Sequence, residues 1–230
     1  MSARYLDAAE SVMNVYSFLD SLKAEHEESL AMLSESPVVE QLGKATAGLP
    51  ALLKIALQNE MEALEIAASW AATAPEPEVK LAFARNAGDE ARHYQMLEEK
   101  MRAMGVDLSR FRPLDFPSPL LSYLRTLHTS AERVAAVLVT RKAVGARCNV
   151  QFLKYLEAVG VREIAALFRQ TIIPDGHRYH ASGWEILPRV AVSHADQQRA
   201  RRASLRVLSI CEEVRSLAML RTGAPAVPGC

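Results

Sequence analysis

The chain has no surplus charge. Its 27 Lys and Arg balance 27 Asp and Glu, so no overall field draws nucleic acid or a membrane surface to it. Cysteine is scarce. Cys148, Cys211 and Cys230 are odd in number, far apart and without a CxxC pair, which argues against a disulfide framework and fits a reducing cytosol. No apolar run is long enough for a membrane span, and MSARYLDAAESV lacks a basic stretch followed by an apolar core, so neither an anchor nor a cleaved leader is expected. The one basic run, Gln197 to Arg206, contains no aromatic residue and is followed by Glu212 and Glu213; it reads as a solvated helix face rather than a nucleic-acid surface. No stretch alternates at period two for long enough to make a convincing strand.

What the chain does have is helical periodicity, over enough residues to bury a full core in one domain spanning 1–230. Helices are expected over about 3–33, 49–73, 78–104, 131–158 and 193–220. A short one is expected over 119–127, and another from Val161 that Pro174 kinks or splits. The segment 34–50 holds a break or short helix, and 221–230 is a loose tail. Ala74-Pro75-Glu76-Pro77 ends one helix and starts the next, which makes an antiparallel hairpin. The connection containing Pro113, Pro117 and Pro119 is long enough to cross to a second hairpin. The architecture is all-α, with a bundle core over about 49–187 and flanking helices at either end.

Two helices of that core carry carboxylates where apolar residues belong. Leu49, Leu53, Ala56, Glu60, Ala63, Ala67 and Trp70 form one stripe. Phe83, Glu90, Leu97 and Met104 form the next, with His93 one turn beyond Glu90 on the same face. An ionised carboxylate on a buried face costs several kcal/mol unless something charged or protonated meets it. A metal ion answers three such groups at once; a surface ion pair or a hydrogen-bonded core histidine is the plainer reading of Glu-x-x-His. His177 and His180 share a face with Trp184 and Leu187, as metal ligands or as donors to carbonyls freed by Pro174. Cys148, on the stripe Val134, Leu138, Arg141, Gly145, Cys148, Phe152 and Tyr155, is a core thiol or a thiolate ligand. Tyr94, Tyr155 and Tyr179 read as packing residues. Glu62 and Glu65 lie off the Glu60 stripe, solvated or ion-paired, and His26, His128 and His194 are assigned to the surface.

Glu60 together with Glu90-Ala-Arg-His93, within GDEARHYQML, resembles half of the site of the ferritin-like, di-iron carboxylate superfamily, in which two helices each supply a Glu and two others each supply a Glu-x-x-His pair. The resemblance implies a four-helix bundle of two antiparallel hairpins with a long crossover. It also implies one or two bound ions, iron first with manganese or zinc also suited, and oxygen-dependent oxidoreductase chemistry on a small organic molecule; the flanking helices read as those of a monomer or homodimer. Its metal ligands are Glu60, Glu90 and His93, with His177 and His180 in the positions of the second Glu-x-x-His. The second half departs from the pattern. His177 replaces a carboxylate, Arg147, Cys148 and Asn149 stand where a Glu belongs, and Asp175 lies on a different face from the two histidines, able to replace the missing carboxylate only if the backbone unwinds around Pro174. A second reading is therefore a scaffold or binding protein with a degenerate metal site, in which a proton or a neighbouring cation such as Arg141 or Arg147 meets Glu60. A third is a metal-free pocket at the Pro174–Gly176 break.

Overall fold

Proline and glycine set the helix boundaries. In the computed structural model, which describes residues 3–34, 48–222 and 228–229, the chain forms seven helices and no strand among those residues. Helix α1 is Ala3–Ser34, α2 is Leu49–Thr73 and α3 is Pro77–Ala103. Pro50 and Pro77 stand in the first turns of α2 and α3, where a missing N–H is no loss. Helix α3 closes on Gly105 at φ 78°, with Gly105 N–H bonded to Arg102 O and Val106 N–H to Met101 O, the paired bonds of a Schellman ending. Helix α4 is Pro119–Leu124, capped by Ser118. Helix α5 covers 130–158, starting in a Thr129/Glu132 capping box and ending at Gly160 with the same pair of bonds as α3. Helix α6 covers 162–190 and α7 is His194–Thr222. The break expected over 34–50 falls, from 35 to 47, outside the described residues. Among the described residues no helix is long and apolar enough to cross a membrane.

The three-residue link between α2 and α3 folds them back along each other, and α5 and α6 pair in the same way. Helix α7 lies along the first half of α5, and α1 packs against α5, α6 and α7. Buried apolar residues form two clusters. One gathers Ile66, Trp70, Phe83, Leu138 and Leu187 with residues of α1, α4 and α7; the other gathers Leu53, Leu57, Leu97, Phe152 and Phe168. Glu60, Glu90 and His93 fall between the two along α2 and α3, so a polar layer divides the core.

Both α5 and α6 contain a π-helical stretch. In α6 it is Phe168–Ile172, immediately before Pro174. Pro174 has no N–H to give the preceding turn, and that turn opens so that Ile173 N–H reaches Phe168 O. Pro174 therefore does not split α6, which runs without a break over 162–190. In α5 the stretch is Val134–Arg141, buried throughout, and Lys142 N–H reaches Val137 O. Side chains hold its loosened carbonyls: Thr140 donates its hydroxyl to Ala135 O at 2.7 Å, and His180 Nδ1 donates to Val139 O at 2.8 Å. Gly183 lets α6 approach this stretch, since a Cβ there would lie 2.8 Å from the Leu138 backbone.

Some expectations need correction. His26 is 3 % exposed, not on the surface; its Nε2 lies 2.5 Å from Ser204 Oγ and 3.2 Å from Thr140 Oγ1, and its ring meets Trp184 edge-on. Met104, assigned to the buried stripe, is exposed at the end of α3. In the tail, Pro228 is buried and accepts a hydrogen bond from Asn59 Nδ2.

Two glycine substitutions should act with opposite signs in urea denaturation. Gly183→Ala forces a methyl group into the Leu138 backbone and should destabilise by about 1–3 kcal/mol. Gly88→Ala, with open space around its Cβ position on α3, should stabilise by about 0.5–1 kcal/mol. A third prediction concerns acid. Burial, then the neighbouring His180 imidazole, push the His26 pKa from 6.5 down to about 4. The unfolded chain therefore takes up this proton first. Its contribution to stability is intact above pH 6.5 and declines towards pH 4, by up to about 3 kcal/mol. Denaturation at pH 7 and pH 4.5 should show that loss in the wild type and a smaller one in His26→Gln.

Candidate metal centre

Glu60 comes from the middle of α2, and Glu90 and His93 from adjacent turns of α3. They are 7, 3 and 2 % exposed. One ligand atom from each lies within 4.8 Å of the other two. His93 Nδ1 is 3.3 Å from Glu60 Oε2 and 3.4 Å from Glu90 Oε2. The other face of the ring is engaged as well: His93 Nε2 donates to Asp175 Oδ2 at 2.9 Å. That bond sets the tautomer of the neutral ring, leaving the Nδ1 lone pair towards the two glutamates. Asp175 is itself held by Arg92 at 2.7 Å and Arg178 at 2.9 Å.

Without an ion, protons and cations balance the cluster. Burial and the Glu90 charge raise the Glu60 pKa to about 7, against the pull of His93. Burial opposes the ionised form of Glu90 too, but there the Lys142 ammonium, followed by hydrogen bonds from His93 and Glu60, outweighs it and holds the carboxyl well below its usual range. Asn86 also donates to Glu90 Oε1 at 2.8 Å. Burial disfavours imidazolium, yet the bonds and charges of Glu60 and Glu90 carry the His93 pKa up to about 10.

The donor set fits a divalent cation. Two carboxylate oxygens and one imidazole nitrogen, mutually close and buried, suit iron, manganese or zinc. Asp175 behind His93 is the carboxylate–imidazole pairing that orients metal-bound histidines and raises their basicity. A cavity of about 40 Å³ opens at the cluster, lined also by Arg141, Lys142 and Asn149. Gly229 contributes to its wall, so the described part of the tail reaches the site.

The structure brings together Glu60, Glu90 and His93 and leaves His177 and His180 apart from them. His177 is exposed on α6. Both ring nitrogens of His180 are committed, Nδ1 donating to Val139 O and Nε2 accepting from Trp184 Nε1 at 3.2 Å. The inward stripe of α6 runs instead through Asp175, Tyr179, Gly183 and Ile186. Cys148 is buried in the larger apolar cluster. Glu62 is buried too, rather than solvated. It accepts from Ser118 N at 2.8 Å and Gln58 at 2.9 Å, which ties the start of α4 to α2.

The sequence offered Asp175 only as a replacement carboxylate if the helix unwound at Pro174, whereas it reaches His93 from a continuous helix; Lys142 was not singled out at all. A signal for Lys142 was present, since Arg141 and Lys142 are the only charged residues from Val134 to Ala146. Comparison of the chain with protein-family models, with curated proteins and with solved structures finds no match. Asp175→Ala should weaken Zn(II) affinity about 10–100-fold through loss of His93 orientation, measured by competition with a chromogenic chelator.

Proposed function

We propose that this chain is a ferritin-like metalloprotein that binds iron between its two helical hairpins and carries out oxygen-dependent oxidoreductase chemistry on a small organic molecule. The observation that carries the reading is the two-sided engagement of His93, with Nε2–H given to Asp175 and Nδ1 facing Glu60 and Glu90. The fold supports it: four long helices in two hairpins surround a buried polar layer at mid-length. Glu60, Glu90 and His93 would hold the ion, and three protein donors leave coordination positions for other ligands. When bound, iron supplies one-electron redox chemistry with oxygen. The protein's own groups orient His93, keep Glu90 ionised through Lys142, and exclude bulk water with the apolar clusters above and below. One ion per chain is the stoichiometry these donors suit, because a second would have to displace Lys142 from Glu90.

A specific observation favours a second reading, a helical scaffold or binding protein without catalytic activity. Protonated His93 and Lys142 already neutralise the two glutamates without an ion. Elemental analysis after anaerobic Fe(II) loading separates the two. The metalloprotein reading expects about one equivalent of iron retained per chain, reduced at least tenfold in Glu60→Ala and in His93→Ala. No retained iron in the wild type, with Glu60→Ala changing stability alone, would establish the scaffold.

A further inference from the structure

Among the described residues, Gly229 is the part of the metal cavity's wall that no helix supplies. The other lining residues stand on α2, α3, α5 and α6, among them Glu60, Glu90, Gly145 and Gly176. Those helices are pinned by the apolar clusters on either side of the polar layer. The tail at 228–229 is instead a turn. Its side-chain anchor among the described residues is Asn59, whose Nδ2 donates to Pro228 O. Asn59 directly precedes Glu60 on α2, so the tail is gripped beside one of the three converging donors.

The tail is fitted to this position. Pro228 is buried. On α5, Gly145 leaves the space that the tail fills: a Cβ there would already touch Gly229 O, at 3.6 Å, and a larger side chain would compete with the tail for the same room. Gly229 has φ 77°, a left-handed conformation that side chains disfavour, and a Cβ on it would lie 3.0 Å from Asn59 Nδ2. Both backbone and space therefore ask for glycine at 229. Even so, a short turn latched by one side chain lifts at far lower cost than a helix of the packed core.

We propose that the tail gates the metal cavity, with Pro228 and Gly229 as the stopper and Asn59 as the latch: the ion enters and leaves when this segment lifts away from Asn59 on α2 and Gly145 on α5. The inference rests on the metalloprotein reading and adds to it the route by which the ion exchanges. The tail's described hydrogen bond is to Asn59 rather than to Glu60, Glu90 or His93, so it sets the rate of exchange and not the affinity. Uptake and release then rise together with the fraction of chains whose tail is lifted. Loss of the Asn59 hydrogen bond raises that fraction about five- to tenfold. A side chain forced into the left-handed backbone at 229, against Asn59, raises it about tenfold or more.

The test follows Co(II) uptake by stopped-flow absorption of its d–d bands, and Co(II) release to EDTA, in the full chain and in its Asn59→Ala and Gly229→Val variants. The expected result is that both variants speed uptake and release alike, Gly229→Val the more, while equilibrium affinity stays within about threefold. Unchanged rates in both variants overturn the gate and leave the metal reading intact: the ion then passes elsewhere. Faster release with unchanged uptake also overturns it, since the tail then stabilises the bound ion instead of barring its path. Access is read without metal as well. Ala63 lines the cavity and is 4 % exposed, so Ala63→Cys places a thiol on its wall. Modification of that thiol by methyl methanethiosulfonate, located by peptide mass spectrometry, is compared with and without Gly229→Val. Should the full chain take up no Co(II), the metal reading falls and this comparison decides the gate alone. Faster modification with Gly229→Val upholds a gated cavity, and equal rates end it.

Discussion

Burial of carboxylates inside a helical protein is the constraint on which the rest of this structure depends. Glu60, Glu90 and Asp175 all face the interior, and each ionised acid must be met by a proton, a cation or a set of donors. His93 serves all three, standing between the glutamates on one side and Asp175 on the other. Lys142 and Asn86 complete Glu90; Arg92 and Arg178 reach in from the surface to complete Asp175. The layer is held in place by the apolar clusters on either side, which pack the same four helices above and below it.

Glu60 and Glu62 show why burial alone does not identify a site. They stand two residues apart on α2 and are both buried. Glu62 accepts from a backbone N–H, a serine hydroxyl and a glutamine amide, so its charge is spent on tying the connection before α4 to α2. Glu60 meets an imidazole that has a second carboxylate behind it and a cavity alongside. The first arrangement is complete in itself, whereas the second is a set of donors converging on one point.

The π stretches connect packing to the site. In the stretch Val134–Arg141, Ala135 O and Val139 O accept side-chain hydrogen bonds, from Thr140 and His180. These hydrogen bonds offset the poorer geometry of the wide turns. Gly183 then permits α6 to lie directly on the stretch, which sets the distance between the two helices just below Lys142 and Asp175. The histidine on α6 thus contributes to the site at a distance, by holding the backbone of α5, while Asp175 on the same helix touches His93.

What the sequence determined by itself was what depends on near neighbours. Helix boundaries at Pro50, Pro77, Gly105 and Gly160 follow from local backbone chemistry, and the stripes through Glu60 and through Glu90 and His93 follow from 3.6-residue periodicity in regular α-helices. Those three site residues were therefore legible. Only the tertiary structure decided the second hairpin. There the inward face of α6 carries Asp175 and Gly183, an acid and a residue without a side chain, which no hydrophobic pattern marks as buried. His177 and His180 share a face by spacing, yet one faces solvent and the other bonds the Val139 carbonyl of α5. His26 was hidden for the same reason: its partners Ser204 and Thr140 lie on helices far away in the chain. Pairing of a buried polar group is a property of what packs against it, and that is settled by the approach of helices distant in sequence.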